Sequence, residues 1–110
     1  MPSYEAVGFH AQQAAEKALK ALLFRHQIAF GKTHDLGELL RLAEPVASGL
    51  TEKLGAAEAL TLYAVEARYP TEEPPVGRDE AARDLAVARR VLQTVRELLK
   101  SYLDAGRPGG

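Results

Sequence analysis

The fold of this 110-residue chain is decided by the stretch Phe9-His10-Ala11-Gln12-Gln13-Ala14-Ala15-Glu16-Lys17-Ala18-Leu19-Lys20-Ala21-Leu22-Leu23. Its apolar residues recur at the i, i+3, i+4, i+7 spacing of an amphipathic helix. They are Val7, Ala11, Ala14, Ala15, Ala18, Leu19 and Leu22. Alanines on this face let a neighbouring helix approach closely, so we predict a central helix from Ser3, its cap, to Gln27. Glu16 and Lys20 should pair along it.

The second helix is predicted to begin between Thr33 and Asp35. Asp35 and Glu38 have the spacing of a capping box, and either Thr33 or Asp35 is suited to be the N-cap. Its apolar stripe consists of Leu36, Leu39, Leu40 and Ala43. Pro45 is expected to kink or stop the helix.

The third helix is predicted from Thr51 to Tyr69, because Pro70 disfavours a helical conformation in the residue before it. One face carries Leu54, Ala57, Thr61, Ala64 and Val65. The proline-rich stretch 70–78 should then be a loop.

The fourth helix is predicted from Asp79, as N-cap, to Asp104. Its apolar residues follow a heptad seam through Ala81, Leu85, Ala88, Leu92, Val95, Leu99 and Tyr102, which Val91 and Leu98 widen. Four amphipathic helices with short connections predict an all-α fold, an antiparallel up-and-down four-helix bundle over residues 1–105 with a flexible tail at 106–110. So small a bundle is marginally stable, and we expect extra burial in a homodimer.

Composition excludes several function classes. Fourteen basic and fifteen acidic residues leave a formal charge of -1, so any nucleic-acid contact must come from a local cluster. Cysteine is absent and the three histidines stand apart at positions 10, 26 and 34, so we predict no metal site and no cofactor. No apolar run approaches the ~20 residues that span a bilayer, and a cytoplasmic protein is expected.

Three groups of polar residues are candidates for binding. His10, Gln13, Lys17 and Lys20 form one stripe of the first helix, which suits phosphate and base contacts or is an ordinary solvated face. Arg68, beside Tyr69, would bind phosphate or form a structural salt bridge. His34 lies at a helix start beside Asp35. Either the carboxylate holds its imidazole in one tautomer next to an anion site, or the histidine has no role beyond its place at a capped helix start. The carboxylates read as surface charges.

The block from Phe9 to Leu23 is very similar to the signature helix of prokaryotic HEPN domains. Lys32-Thr33-His34-Asp35-Leu36 resembles the family's entry to its next helix, and Glu66-Ala67-Arg68-Tyr69-Pro70 resembles the end of the following one. The resemblance implies a dimerising helical bundle associated with nucleotide or RNA. It also implies a minimal nucleotidyltransferase as partner, in some cases as a toxin–antitoxin pair.

Many HEPN domains are metal-independent RNases with an arginine followed a few residues later by histidine. Arg68 corresponds to that arginine, but no histidine lies C-terminal to His34. We therefore expect a binding protein rather than an enzyme, with Arg68 as the sole catalytic candidate. The predicted nucleotide- or phosphate-binding residues are His10, Gln13, Lys17, His34, Arg68 and Tyr69. The alternatives are an RNase toxin and a purely structural dimer that binds another protein.

Overall fold

The computed structural model describes residues 4–61 and 77–105. Within these ranges the chain forms four α-helices, which are α1 (Tyr4–Arg25), α2 (Leu36–Ala43), α3 (Leu50–Leu54) and α4 (Arg78–Ala105). A 3-10 helix, Gly55–Leu60, continues α3. The predicted all-α class with four helices is confirmed. No helix in the described ranges is long and apolar enough to cross a membrane.

The core is built on α1, which packs along α4 on one side and against α2 and the 3-10 helix on others. Small residues make the close approach possible, since Ala11 and Ala15 are buried as predicted. Large side chains that are fully buried include Leu19, Leu22, Leu23, Leu36, Leu39, Leu40, Leu54 and Leu60. Leu99 of α4 borders the C-terminal half of α1, so the C-terminal ends of the two long helices lie at the same end of the domain.

The first helix ends at Arg25, before the predicted Gln27. Gln27 has a φ of 58°, the left-handed conformation that commonly ends helices. Its N–H donates to the carbonyl of Phe24, and the N–H of Ile28 donates to that of Leu23. This pattern is a Schellman motif, and it turns the chain back along α1.

The start of α2 agrees with the prediction that Asp35 is one of two possible caps. The Asp35 side chain accepts a hydrogen bond from the N–H of Glu38 over 3.2 Å. Thr33 is not the cap of the helix. Its Oγ1 accepts a hydrogen bond from the N–H of Asp35 over 3.1 Å. The helix then ends at Ala43, ahead of Pro45.

The third helix differs from its prediction, because only Leu50–Leu54 is α-helical before the 3-10 segment begins. Leu54, Ala57 and Leu60 are spaced by three and all are buried. A 3-10 helix has three residues per turn, so residues at i and i+3 eclipse one another and face the core together. Ala64, Val65 and the predicted end at Tyr69 lie outside the described residues.

The fourth helix corrects two predictions. It begins at Arg78 rather than after Asp79, and its first hydrogen bond runs from the Ala81 N–H to the Gly77 carbonyl. Asp79 therefore lies in the first turn, where its charge complements the helix dipole. The predicted seam is also shifted, because Val91 is fully buried while Leu85 and Leu92 are each 40% exposed. Ala81, Ala88 and Val95 stay buried, so the covered side of the helix lies between that row and Val91, and Leu85 and Leu92 project from its other edge.

Candidate functional site

Two polar residues of α1 are buried inside its apolar face. Gln12 is fully buried and Glu16 is 6% exposed. They lie two helical turns before Leu19 and Leu23, which are themselves in the core. Burying an amide and a carboxylate is costly unless each finds partners, so their hydrogen bonds define this site.

The Glu16 carboxylate is surrounded by donors. Its Oε1 accepts from Nε2 of Gln12 over 2.8 Å and lies 2.8 Å from Nδ1 of His34. Its Oε2 accepts from Nζ of Lys20 over 3.1 Å, which confirms the predicted Glu16–Lys20 pair. Lys20 is further held 5.9 Å from the ring centroid of Phe30. We refer to Gln12, Glu16, Lys20 and His34 as the Glu16 cluster.

This set of donors favours the ionised form of Glu16. Burial acts to raise the pKa of its carboxyl, but hydrogen bonds from Gln12, His34 and Lys20 outweigh burial, and the pKa is lowered. The nearby Lys20 charge acts in the same direction. Glu16 is therefore a buried anion in the folded chain at neutral pH.

The cluster determines the orientation of the His34 ring. An ionised Glu16 can only accept, so Nδ1 of His34 must carry the hydrogen that it shares with Oε1. Nε2 of Gln12 also reaches the His34 carbonyl, over 3.4 Å, which anchors the backbone there. Because 53% of the His34 side chain is exposed, Nε2 of the ring remains available to a ligand. In the neutral ring that nitrogen is an acceptor.

The predicted binding residues are only partly brought together. Gln13 joins the Glu16 cluster, since its Nε2 donates to Oε1 of Gln12 over 2.9 Å. His10 is exposed and packs edge-on against Phe9, with ring centroids 5.8 Å apart. Lys17 is exposed beside a surface depression farther along α1. Arg68 and Tyr69 lie outside the described residues.

Sequence reasoning missed Gln12 and Glu16 as site residues. The interpretation of the carboxylates as surface charges is wrong for Glu16, which is buried. A signal was present, because Gln12 and Glu16 occupy the helical positions of Leu19 and Leu23 two turns earlier. Polar residues in an apolar stripe indicate a buried network. Among the residues that the structure describes, no group of three or more histidines and carboxylates is placed to hold a metal ion.

The chain is therefore a small helical-bundle protein. Its central helix carries a buried carboxylate that orients a histidine. Residues 1–98 match the HEPN domain family, and the chain belongs to that family. No curated protein and no solved structure matches the chain.

Proposed function

We propose that this HEPN domain binds a nucleotide or RNA, as the dimeric partner of a minimal nucleotidyltransferase in a two-gene, toxin–antitoxin-like system. The observation that carries the proposal is the half-exposed His34 ring, held at Nδ1 by Glu16 over 2.8 Å. A fixed ring loses little conformational entropy on binding, so its Nε2 is preorganised to accept a hydrogen bond from a ribose hydroxyl or a base N–H.

Other polar groups near the cluster support this chemistry. Gln13 uses its Nε2 on Gln12, which leaves its own amide oxygen to accept from a base or ribose. Lys17 is exposed one helical turn beyond Gln13 and suits a phosphate oxygen. His10 lies one turn before Gln13 on the same stripe. Arg68 and Tyr69 enter the proposal through the family resemblance.

The binding test is titration of the purified protein with ATP, GTP and a short single-stranded RNA. We expect His34→Ala and Lys17→Ala each to weaken binding by about tenfold, which corresponds to about 1.4 kcal/mol. Lys53→Ala is the matched control, since Lys53 is an exposed lysine of α3. Absence of binding by the wild type, or equal losses in all three variants, would contradict the proposal.

The partner is tested separately. Membership of the HEPN family is the reason to propose this partner. If the neighbouring gene encodes a minimal nucleotidyltransferase, its product should be coexpressed with this chain. We expect a complex that survives size-exclusion chromatography. Sedimentation of the chain alone tests the homodimer, and a monomer at micromolar concentration would contradict it.

The Glu16–His34 pair also favours a second candidate, a metal-independent RNase. A carboxylate that fixes the tautomer of a histidine leaves the other ring nitrogen able to accept or donate a proton. Incubation of the pure protein with RNA in EDTA tests this function. Cleavage by the wild type that is lost in both His34→Ala and Arg68→Ala would favour the RNase over the binding protein.

A further inference from the structure

One side of α4 presents leucines that its neighbours leave uncovered. Leu85 and Leu92 are each 40% exposed, and Leu99, which is partly buried against the core, follows at the same heptad spacing. The adjacent heptad row, Ala81, Ala88 and Val95, is buried against the core. The leucine row therefore flanks the core instead of filling it, and a heptad row of leucines is the pattern that packs against another helix.

This row continues onto α1. Leu99 lines a surface depression together with Lys17, Lys20, Ala21, Phe24 and Arg25. Phe24 is 77% exposed, so a whole aromatic ring borders the depression. We call the strip formed by Leu85, Leu92, Leu99, Ala21 and Phe24 the α1–α4 groove. Exposed apolar side chains aligned in a strip, with polar residues at its edges, are typical of an interaction site.

The groove has basic edges. Arg89 and Arg96 are exposed on α4 and lie about 40° around the helix from Leu85 and Leu92, at 100° per residue. Lys17 and Arg25 are exposed on the α1 side. Among the described side chains, residues 6–61 and 77–101, none of these four cations forms an ion pair.

The carboxylate nearest to Arg96 in sequence does not neutralise this edge. Glu97 lies about 140° around α4 from Leu92, at 100° per residue. There its Oε1 accepts from Nε2 of Gln93 over 3.4 Å. The groove therefore combines an apolar floor with positive edges that have no acidic partner among the described side chains.

We propose that the α1–α4 groove docks an amphipathic helix of a partner protein, with leucine-type residues at heptad spacing and acidic residues along its flanks. The heptad row predicts a helical occupant, and the four cations predict its charge. A second copy of the same groove would bring arginine against arginine, which like-charge repulsion opposes. A nucleic acid is disfavoured because protein–DNA interfaces are more polar than this floor.

The docking does not need a ligand at His34, and because Lys17 belongs to both surfaces its test varies Arg89 and Arg96, which the function proposed above does not use. Its probes are two synthetic peptides of about four heptads, with leucine at positions a and d. One carries glutamate at positions e and g, and the other carries lysine there. The like charges on each peptide oppose its self-association, so binding by fluorescence anisotropy reports on the protein.

We expect the glutamate peptide to bind and the lysine peptide not to bind. In the double variant Arg89→Glu with Arg96→Glu, the glutamate peptide should bind at least about tenfold more weakly and the lysine peptide should gain binding. The matched control reverses Arg83 and Arg90, which are exposed and heptad-spaced on the opposite side of α4. This control should leave binding of the glutamate peptide unchanged. Circular dichroism verifies that each variant is folded.

Four results would overturn the proposal. They are no binding of the glutamate peptide, equal binding of both peptides, an equal loss in the Arg83 and Arg90 control, and a different occupant of the groove. A dimer of the protein alone that dissociates on Leu92→Ser would assign the groove to a second copy. RNA binding that is lost on reversal of Arg89 and Arg96 would assign it to nucleic acid.

Discussion

Nδ1 of His34 lies 2.8 Å from Oε1 of Glu16, across eighteen residues of chain. This contact joins the middle of α1 to the residue before the Asp35 cap of α2. It therefore couples the packing of the second helix to a buried charge in the first.

Glu16→Gln should destabilise the fold although it preserves the size of the side chain. A glutamine replaces one carboxylate oxygen by an amide N–H₂, which faces either Lys20 or the pair Gln12 and His34, so at least one donor of the cluster loses its acceptor. An unsatisfied buried polar group costs about 1–3 kcal/mol. Urea denaturation measures the free energy of unfolding. Glu52→Gln, at an exposed position of α3, should change it by less than about 0.5 kcal/mol, and equal effects of the two substitutions would contradict this account.

Stability should fall in acid because of Glu16. The pKa of its carboxyl is lower in the folded chain than its ordinary value of 4.5. The stabilisation is therefore fully present above that value and is lost as the pH falls through the lower folded pKa. Urea midpoints measured between neutral and acidic pH should decline less steeply for Glu16→Gln than for the wild type.

Glu44 should also lower the stability of the fold as the pH falls. Hydrogen bonds from the backbone of Thr51 and Gly49 lower the pKa of its carboxyl. Glu44→Gln should therefore leave the Glu16 part of the acid decline in place, and the double variant should flatten the profile most. A profile for Glu16→Gln that is parallel to that of the wild type would show that Glu16 does not titrate between the two states.

Thr61→Val should weaken the attachment of α2. The Oγ1 of Thr61 accepts from the N–H of Leu36 over 3.0 Å, and Leu36 is the first residue of the helix and is fully buried. Valine has nearly the same shape but no acceptor, so the N–H loses its partner at a cost of about 1–3 kcal/mol. Thr61→Ser retains the hydroxyl and should recover most of this loss in thermal unfolding. A serine variant as unstable as the valine variant would assign the effect to packing.

Gly37→Ala should reveal a contact between α2 and the 3-10 helix. A Cβ at Gly37 would lie 2.7 Å from the Glu58 carboxyl carbon and 3.2 Å from Oδ1 of Asp35. Alanine in a helix is favoured over glycine by about 1 kcal/mol, but displacing Glu58 should cancel part of that gain. In a Glu58→Ala background more of the gain should return, although the contact with Oδ1 of Asp35 stays. A double-mutant cycle with no coupling between the two positions would contradict the predicted contact.

Local rules predicted the helices because they act within one or two turns. The periodicity of α1, the Asp35 cap and the Glu16–Lys20 pair all depend on residues a few positions apart, and all three are present in the structure. The sequence did not reveal the 3-10 segment, because apolar residues three positions apart also occur on α-helices. Only the burial of both Ala57 and Leu60 in the tertiary structure favours the tighter turn. The resemblance of the block from Phe9 to Leu23 identified the family before any coordinates.

By itself, therefore, the sequence determined an all-helical domain, its central helix and its family. The tertiary structure decided which polar residues meet, since Glu16 reaches His34 only because the Schellman turn after α1 leads the chain back along that helix. It also decided that Leu85 and Leu92 remain exposed, since the neighbouring elements cover the side of α4 that carries Ala88, Val91 and Val95. Both outcomes depend on contacts between segments distant in sequence, which local periodicity and capping do not encode.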